Sequence, residues 1–189
     1  MPQTLRTFVA VEIAAETHAR AGQLIGRLQA ASPDVKWVEP RNLHWSLQFL
    51  GEVDVREIPQ VCDAVTRAVA DVPQFDLEAH GAGAFPDLHR PRTLWLGAAA
   101  GSEEMAALHE RIAASLAPLG FRQEQRRFRP HLTLGRVRGG PHAELTALLE
   151  QHRDFAAGIT EVEEVVVFSS DLSRGGPTYD VLATAELAR

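Results

Sequence analysis

The sequence predicts an α+β protein made of two pseudo-symmetric lobes, each a βαββαβ unit with an antiparallel sheet, facing each other across a central cleft. Three observations lead there. The periodic segments run β-α-β-β-α-β and then start again. Glu16 and Glu103, Ile25 and Ile112, and His44 and His131 are each 87 residues apart. The two histidines open the similar stretches "HWSL" and "HLTL". Self-similarity at one fixed offset marks a duplicated unit. No Pro/Gly/Ser-rich linker divides the halves, so the expectation is a single bilobal domain over 1–189. Its lobes would span about 1–88 and 89–189, with exchange of terminal strands allowed.

Taken in order, Leu5–Ile13 alternates as a first strand, and Glu16–Ala31 carries Ala21, Leu24, Ile25 and Leu28 at helical spacing. Val35–Glu39 and Leu43–Leu50 read as strands, with Gly51 closing the second. Ile58, Val61, Cys62, Val65, Val69 and Val72 form an amphipathic helix, Pro59 being tolerated in its first turn. Phe75–Phe85 is a strand diluted by glycines. In the second half Arg92–Ala98 is a strand, and Ser102 with Glu103 and Glu104 opens a helix bearing Leu108, Ile112, Leu116 and Leu119. Phe121–Phe128 and His131–Arg138 read as strands, followed by the Gly139-Gly140-Pro141 break. Leu145, Leu148 and Leu149 mark a short helix, and Glu161–Ser170 and Thr178–Leu187 are the last strands.

The totals narrow the function. No apolar run approaches the roughly 18 residues of a membrane helix. The start, "MPQTLRTFVAVEI", reads as a strand and not as a signal peptide. Cys62 is the only cysteine, which excludes an intramolecular disulfide or thiolate metal cluster and suits a reducing cytoplasm. A net charge of −6 argues against coating nucleic acid through bulk electrostatics. Within that acidic chain, residues 122–138 carry arginines at 122, 126, 127, 129, 136 and 138 against the single acid Glu124.

In "NLHWSLQFL" a strand would put Leu43, Trp45, Leu47 and Phe49 on one face, and His44, Ser46 and Gln48 on the other. His-x-[Ser/Thr]-apolar should occur by chance roughly a third of a time in such a chain. It occurs twice, at equivalent places in the repeat. If the lobes face each other, their polar strand faces bring two imidazoles and two hydroxyls into one cleft. Histidine exchanges a proton near neutrality, so one ring can act as base while the other acts as acid. The hydroxyl two residues on points the same way and can donate to an anionic oxygen. Two-fold placement suits in-line displacement at phosphorus. The residues alone leave open which histidine is base and which is acid.

The stretches "PRNLHWSLQFLGEV" and "FRPHLTLGRVR" resemble the two signature motifs of the 2H phosphoesterases. Together with "RTFVAVEI", "RPRTLWLG" and "FSSDLSRGGPTYDVL", they make almost the whole chain similar to the bacterial and archaeal RNA 2′,3′-cyclic phosphodiesterases, also called 2′-5′ RNA ligases. Ser46 stands where threonine is commoner, and a hydroxyl is kept. The resemblance implies hydrolysis of an RNA-terminal 2′,3′-cyclic phosphate to a 2′-phosphomonoester without metal or cofactor, with reverse 2′-5′ ligation as an accompanying reaction. It implies that His131 accepts a proton from water, that His44 donates one to the 3′ leaving oxygen, and that Ser46 and Thr133 hold the non-bridging oxygens. The implied partner is RNA with a cyclic phosphate end, single-stranded or a tRNA fragment, acted on by a cytoplasmic monomer with no membrane contact. Related two-histidine enzymes act instead on other cyclic nucleotides, ADP-ribose cyclic phosphate or 2′-5′ oligoadenylate.

Arg127 and Arg129 share the parity of His131 and Thr133, so a continuous strand places them as phosphate ligands. Arg136 has the opposite parity, although it matches an arginine often found after the family's second motif. Trp37, Phe85 and Tyr179 are candidates for stacking on a base, with packing the plainer reading of each. Trp45 and Trp95 read as core, and His18, His80, His89, His109, His142 and His152 as solvent-facing. A metal hydrolase is disfavoured by the lack of HExxH, DxH or Cys/His groupings. A non-catalytic RNA-binding module would carry aromatics where these strands carry His and Ser or Thr.

Overall fold

The computed structural model describes residues 3–31, 34–122, 127–139, 143–173 and 176–189. Among the described residues nine strands are formed: β1 (Thr4–Val11), β2 (Val35–Trp37), β3 (Trp45–Asp54), β4 (Phe75–Phe85), β5 (Thr93–Ala98), β6 (His131–Val137), β7 (Ala156–Val162), β8 (Glu164–Ser173) and β9 (Gly176–Glu186). The helices are α1 (Ala15–Gln29), α2 (Ile58–Val69), α3 (Ser102–Leu116) and α4 (Ala143–Gln151). The α+β class with an antiparallel sheet is as the sequence predicts.

The strands join in one antiparallel sheet of order β7-β4-β5-β6-β3-β1-β8-β9, with β2 also on β6. That order is symmetric about the β6/β3 junction. Strand β4, from the first half of the chain, sits with β5, β6 and β7. Strands β8 and β9, from the end of the chain, sit with β1 and β3. Each half of the sheet therefore takes strands from both halves of the sequence.

The apolar faces of the helices explain where the core lies. Leu24, Ile25 and Leu28 of α1, Val61 and Val65 of α2, Leu108, Ile112 and Leu116 of α3, and Leu145 and Leu149 of α4 are buried in one cluster. The sheet supplies Val9, Val11, Trp45, Leu47, Leu94, Leu96, Leu132 and Leu134 to the same cluster. Each fully buried aliphatic side chain of this kind contributes about 1.5–3 kcal/mol. With the helices against one face of the sheet, the other is left for function. A separate apolar cluster of Phe8, Ala10, Val166 and Phe168, with Tyr179 against it, lies on that second face.

Several expectations are corrected. The expected strand Phe121–Phe128 is absent at its described residues: 121, 122, 127 and 128 are irregular, and 123–126 lie outside the described residues. The Gly140-Pro141 part of the expected break lies there too. Gly51 does not close β3; it adopts φ 73°, and the strand runs on to Asp54. The single strand expected at Glu161–Ser170 is two, β7 and β8, parted at Glu163, because the apolar alternation continues through a one-residue corner. Helix α2 stops at Val69, three residues before Val72.

The glycines that dilute β4 have a packing cause. Gly83 pairs with Trp95 across β4 and β5. A Cβ at Gly83 would sit 2.4 Å from Trp95 Cη2, and one at Gly97 would sit 3.2 Å from Trp95 Cζ3. The bare backbone is the seat for the indole. Gly83→Ala is expected to cost about 1–3 kcal/mol through overpacking. Urea denaturation measures it, and a variant as stable as the parent contradicts this packing.

Candidate active site

Strands β3 and β6 form a ladder pair at one position among the described residues, Trp45 opposite Leu132. The rest of that edge of β6 is taken by β2, with Trp37 opposite Gly135 and Val35 opposite Val137. Gly135 permits this crossing, since a Cβ there would lie 2.8 Å from Val35 Cγ1. Trp45 and Leu132 are fully buried on the helix side. Alternation therefore turns their neighbours His44, Ser46, His131 and Thr133 to the other face. Antiparallel register sets His44 beside Thr133 and Ser46 beside His131, with the two histidines on a diagonal. The structure thus brings the four motif residues around one seam, as pseudo-symmetry requires. His44 lies one residue before β3, and His131 is the first residue of β6.

Each imidazole is held in the same way. His44 Nδ1 lies 2.8 Å from the Asn42 carbonyl oxygen, and His131 Nδ1 lies 2.7 Å from that of Arg129. A carbonyl can only accept, so Nδ1–H is the donor in both and Nε2 is directed the other way. Asn42 ends a 3-10 turn at Pro40–Asn42 and donates from Nδ2 to the Pro177 carbonyl, tying the approach to β3 onto β9. Burial lowers the pKa of His44, and its bond to Asn42 opposes that only in part. Phe8 and Tyr179 supply the surroundings, with ring centroids 4.9 and 5.4 Å from the His44 ring. Phe85 stands edge-on to His131 at 5.0 Å.

Strict alternation fails immediately after each motif. Leu47, between Ser46 and Gln48 on β3, has no partner in the ladder with β1, and Leu134, between Thr133 and Gly135 on β6, has none in the ladder with β5. The extra residue is a β-bulge, which reverses the facing of the residues that follow it; on β3 a second shift at Leu50 restores the facing, and Val53 is again buried. Phe49 therefore leaves the apolar row and pairs with Phe8 on the cleft face, where it is 65% exposed. Arg136, of opposite parity to His131, pairs with Thr93 on the cleft face and approaches its hydroxyl at 3.4 Å. Burial raises the pKa of the Tyr179 hydroxyl, while the charges of Arg6 and Arg136 pull it back. Arg136 on one side of the seam thus acts on Tyr179 on the other.

Trp95 is not core. It pairs with Thr133, is half-buried, and lines the larger cleft with Phe85 and His131. That cleft has a volume of about 1190 Å³, and Arg127 and Arg129 line it as well. Both arginines are exposed and sit in irregular chain before β6, not on a strand. Arg126 and His142 lie outside the described residues. A smaller hollow of about 360 Å³ beside His44 is lined by Glu12, His18, Asn42, Phe168 and Tyr179. Trp37 packs on the core and is not in either cleft. His109 is buried, not solvent-facing.

Burial also raises the pKa of the Cys62 thiol, which makes it a poor nucleophile. No group of three His, Cys, Asp or Glu side chains suited to a metal ion forms among the described residues, and none of their helices is long and apolar enough to cross a membrane.

Two His-x-Ser/Thr strands thus meet at a two-fold seam, and comparison with known proteins gives the family. Residues 15–174 match the 2′-5′ RNA ligase superfamily. The chain belongs to this superfamily. The RNA 2′,3′-cyclic phosphodiesterase of Thermotoga maritima is 33% identical over 178 residues, covering 94% of this chain and 93% of the relative. The protein of that name from Methanothermobacter thermautotrophicus is 31% identical over 176 residues, covering 93% and 95%. Among solved structures, TT0787 of Thermus thermophilus superposes with TM-score 0.78 at 28% identity, over 96% of this chain and 97% of that one. E. coli LigT complexed with 3′-AMP gives TM-score 0.78 at 25% identity, over 99% and 100%.

An imidazole whose charged form is disfavoured by burial weakens folding in acid. Below about 6.5 the unfolded chain binds a proton that folded His44 resists, so stability falls as pH drops toward the folded pKa. The His44 ring resonance in NMR is expected to titrate below 6.5 in the ligand-free protein. It is expected to move upward when inorganic phosphate is added, because an anion favours the imidazolium. A ligand-free midpoint at or above the ordinary histidine value contradicts this.

Proposed function

We propose that the protein hydrolyses RNA-terminal 2′,3′-cyclic phosphate to a 2′-phosphomonoester, without metal, through paired-histidine acid–base catalysis. The observation that carries the reading is the Trp45–Leu132 seam, which sets His44, Ser46, His131 and Thr133 on one face. The names of the relatives supply the substrate class.

His131 Nε2 takes a proton from water, and the water oxygen attacks phosphorus in line with the 3′ oxygen. The bond from phosphorus to the 3′ oxygen breaks as His44 Nε2 delivers its proton there. The product carries a 2′-phosphate and a 3′-hydroxyl, and solvent restores the two protonation states. Ser46 and Thr133 hydroxyls donate to the non-bridging oxygens. Arg127 and Arg129, which line the cleft with His131, supply positive charge to the phosphate, and Arg136 joins them from β6.

His44 has a lowered pKa yet must be protonated to act as the acid. The substrate resolves this. A phosphodiester anion seated between the rings favours the imidazolium, so the acid is charged when substrate binds. Joining of strands uses the same displacement with an RNA 5′-hydroxyl in place of water, so 2′-5′ ligation runs beside hydrolysis; the step it reverses is cleavage of a 2′-5′ linkage. The exposed face of Phe49 fits a terminal base by stacking.

An oligonucleotide ending in a 2′,3′-cyclic phosphate is expected to yield a 2′-phosphate in the presence of EDTA. His44→Ala and His131→Ala are each expected to abolish turnover while the circular dichroism spectrum is retained. Release of a 3′-phosphate, dependence on metal, or substantial turnover in either variant overturns the reading. Cyclic nucleotides, ADP-ribose cyclic phosphate and 2′-5′ oligoadenylate serve as competing substrates, and preference for one of them reassigns the substrate. Phe49→Ala is expected to lower kcat/KM by about 1–3 kcal/mol of stacking, measured by steady-state kinetics.

A further inference from the structure

Three elements meet on His109, which the reaction does not use. Its ring lies flat on Phe128, with centroids 4.1 Å apart and planes within 6°. Its Nδ1 is 2.8 Å from the carbonyl oxygen of Leu47, which can only accept, so His109 donates. The side chain is 9% exposed and issues from the middle of α3. Leu47 is the bulge residue directly after Ser46. Phe128 stands next to Arg129, whose carbonyl holds His131 Nδ1 at 2.7 Å. One buried imidazole therefore touches the first motif just past its hydroxyl and the second motif just before its histidine.

The other lobe has a clamp in the equivalent place, made from different residues. Gly22 of α1 lies against Pro40, where an added Cβ would be 3.5 Å from Pro40 Cγ, and His18 Nδ1 lies 3.0 Å from the Pro40 carbonyl oxygen. Pro40 begins the turn whose last residue, Asn42, holds His44. In both lobes a helix thus fixes the irregular segment whose carbonyl orients the motif histidine. Residues 127–130 need such a fixture, having no strand partner to hold them.

We propose that His109 is a positioning residue for the reaction: by stacking on Phe128 and bonding the Leu47 carbonyl, it fixes the Arg129 carbonyl that orients His131 and keeps the two motifs in register. The proposal rests on the two-histidine reading above. A small misplacement of a reacting group is costly, so His109→Ala is expected to lower kcat by about tenfold to a hundredfold. A loss of packing alone would lower stability without altering the chemistry of His131. The discriminating readouts are therefore the pH–rate profile and the NMR titration midpoint of His131, and both are expected to shift in His109→Ala.

Two further variants separate the two contacts. His109→Phe keeps a ring on Phe128 and is expected to recover most of kcat and the parental His131 midpoint. His109→Asn keeps a donor for Leu47 without the ring and is expected to recover less. If His109→Ala does not fold, His109→Phe against His109→Asn carries the same comparison. Parental kcat and an unmoved His131 midpoint in His109→Ala and His109→Asn overturn the proposal. If the parent itself lacks cyclic phosphodiesterase activity, the functional reading fails first, and the His131 midpoint alone decides whether His109 orients that ring.

Discussion

The site depends on one backbone contact, the pairing of Trp45 with Leu132 between β3 and β6. Both side chains point into the core and are fully buried, so rotating either strand by one residue would expose a large apolar group and bury a histidine. The hydrophobic effect thus fixes the facing of the motif side chains without touching them. Because β2 occupies the rest of the β6 edge, the contact stays short and the cleft can open on the far face.

The two-fold arrangement gives equal placement to two imidazoles, but the proposed reaction is not symmetric. The difference is built into the flanks. Beyond the bulge, the first strand presents Phe49 and the second presents Arg136. His44 lies among Phe8 and Tyr179 and resists protonation, while His131 opens onto the larger cleft beside Arg127 and Arg129. An aromatic flank and a cationic flank can hold a nucleotide in one orientation, which the duplicated motifs alone cannot.

The fold was largely legible because its elements keep their periods. The 87-residue offset located both histidines, and alternation in "HWSL" and "HLTL" correctly turned them away from the core. Alternation misled wherever the chain left regular pairing. The bulges at Leu47 and Leu134 carry no turn residue or charge to announce them, so Phe49 and Arg136 were each placed on the wrong face. Gly135, next to the second bulge, is the one available hint, since an isolated glycine in a strand often marks a bulge or close approach. Trp95 read as core because its seat is two glycines on β4 and β5, a contact between segments that alternation within one strand cannot show. His109 lacked any partner in sequence, because Phe128 and Leu47 reach it only through the tertiary fold.

The central claim is that two imidazoles bracket a single phosphorus atom. It is tested most directly by a crystal structure with a nucleoside vanadate, a pentacoordinate mimic of the in-line transition state. The account predicts Nε2 of His44 and Nε2 of His131 on opposite apical oxygens, each within about 2.6–3.2 Å. A complex in which only one imidazole reaches the vanadate, or both reach the same side of it, would contradict the account.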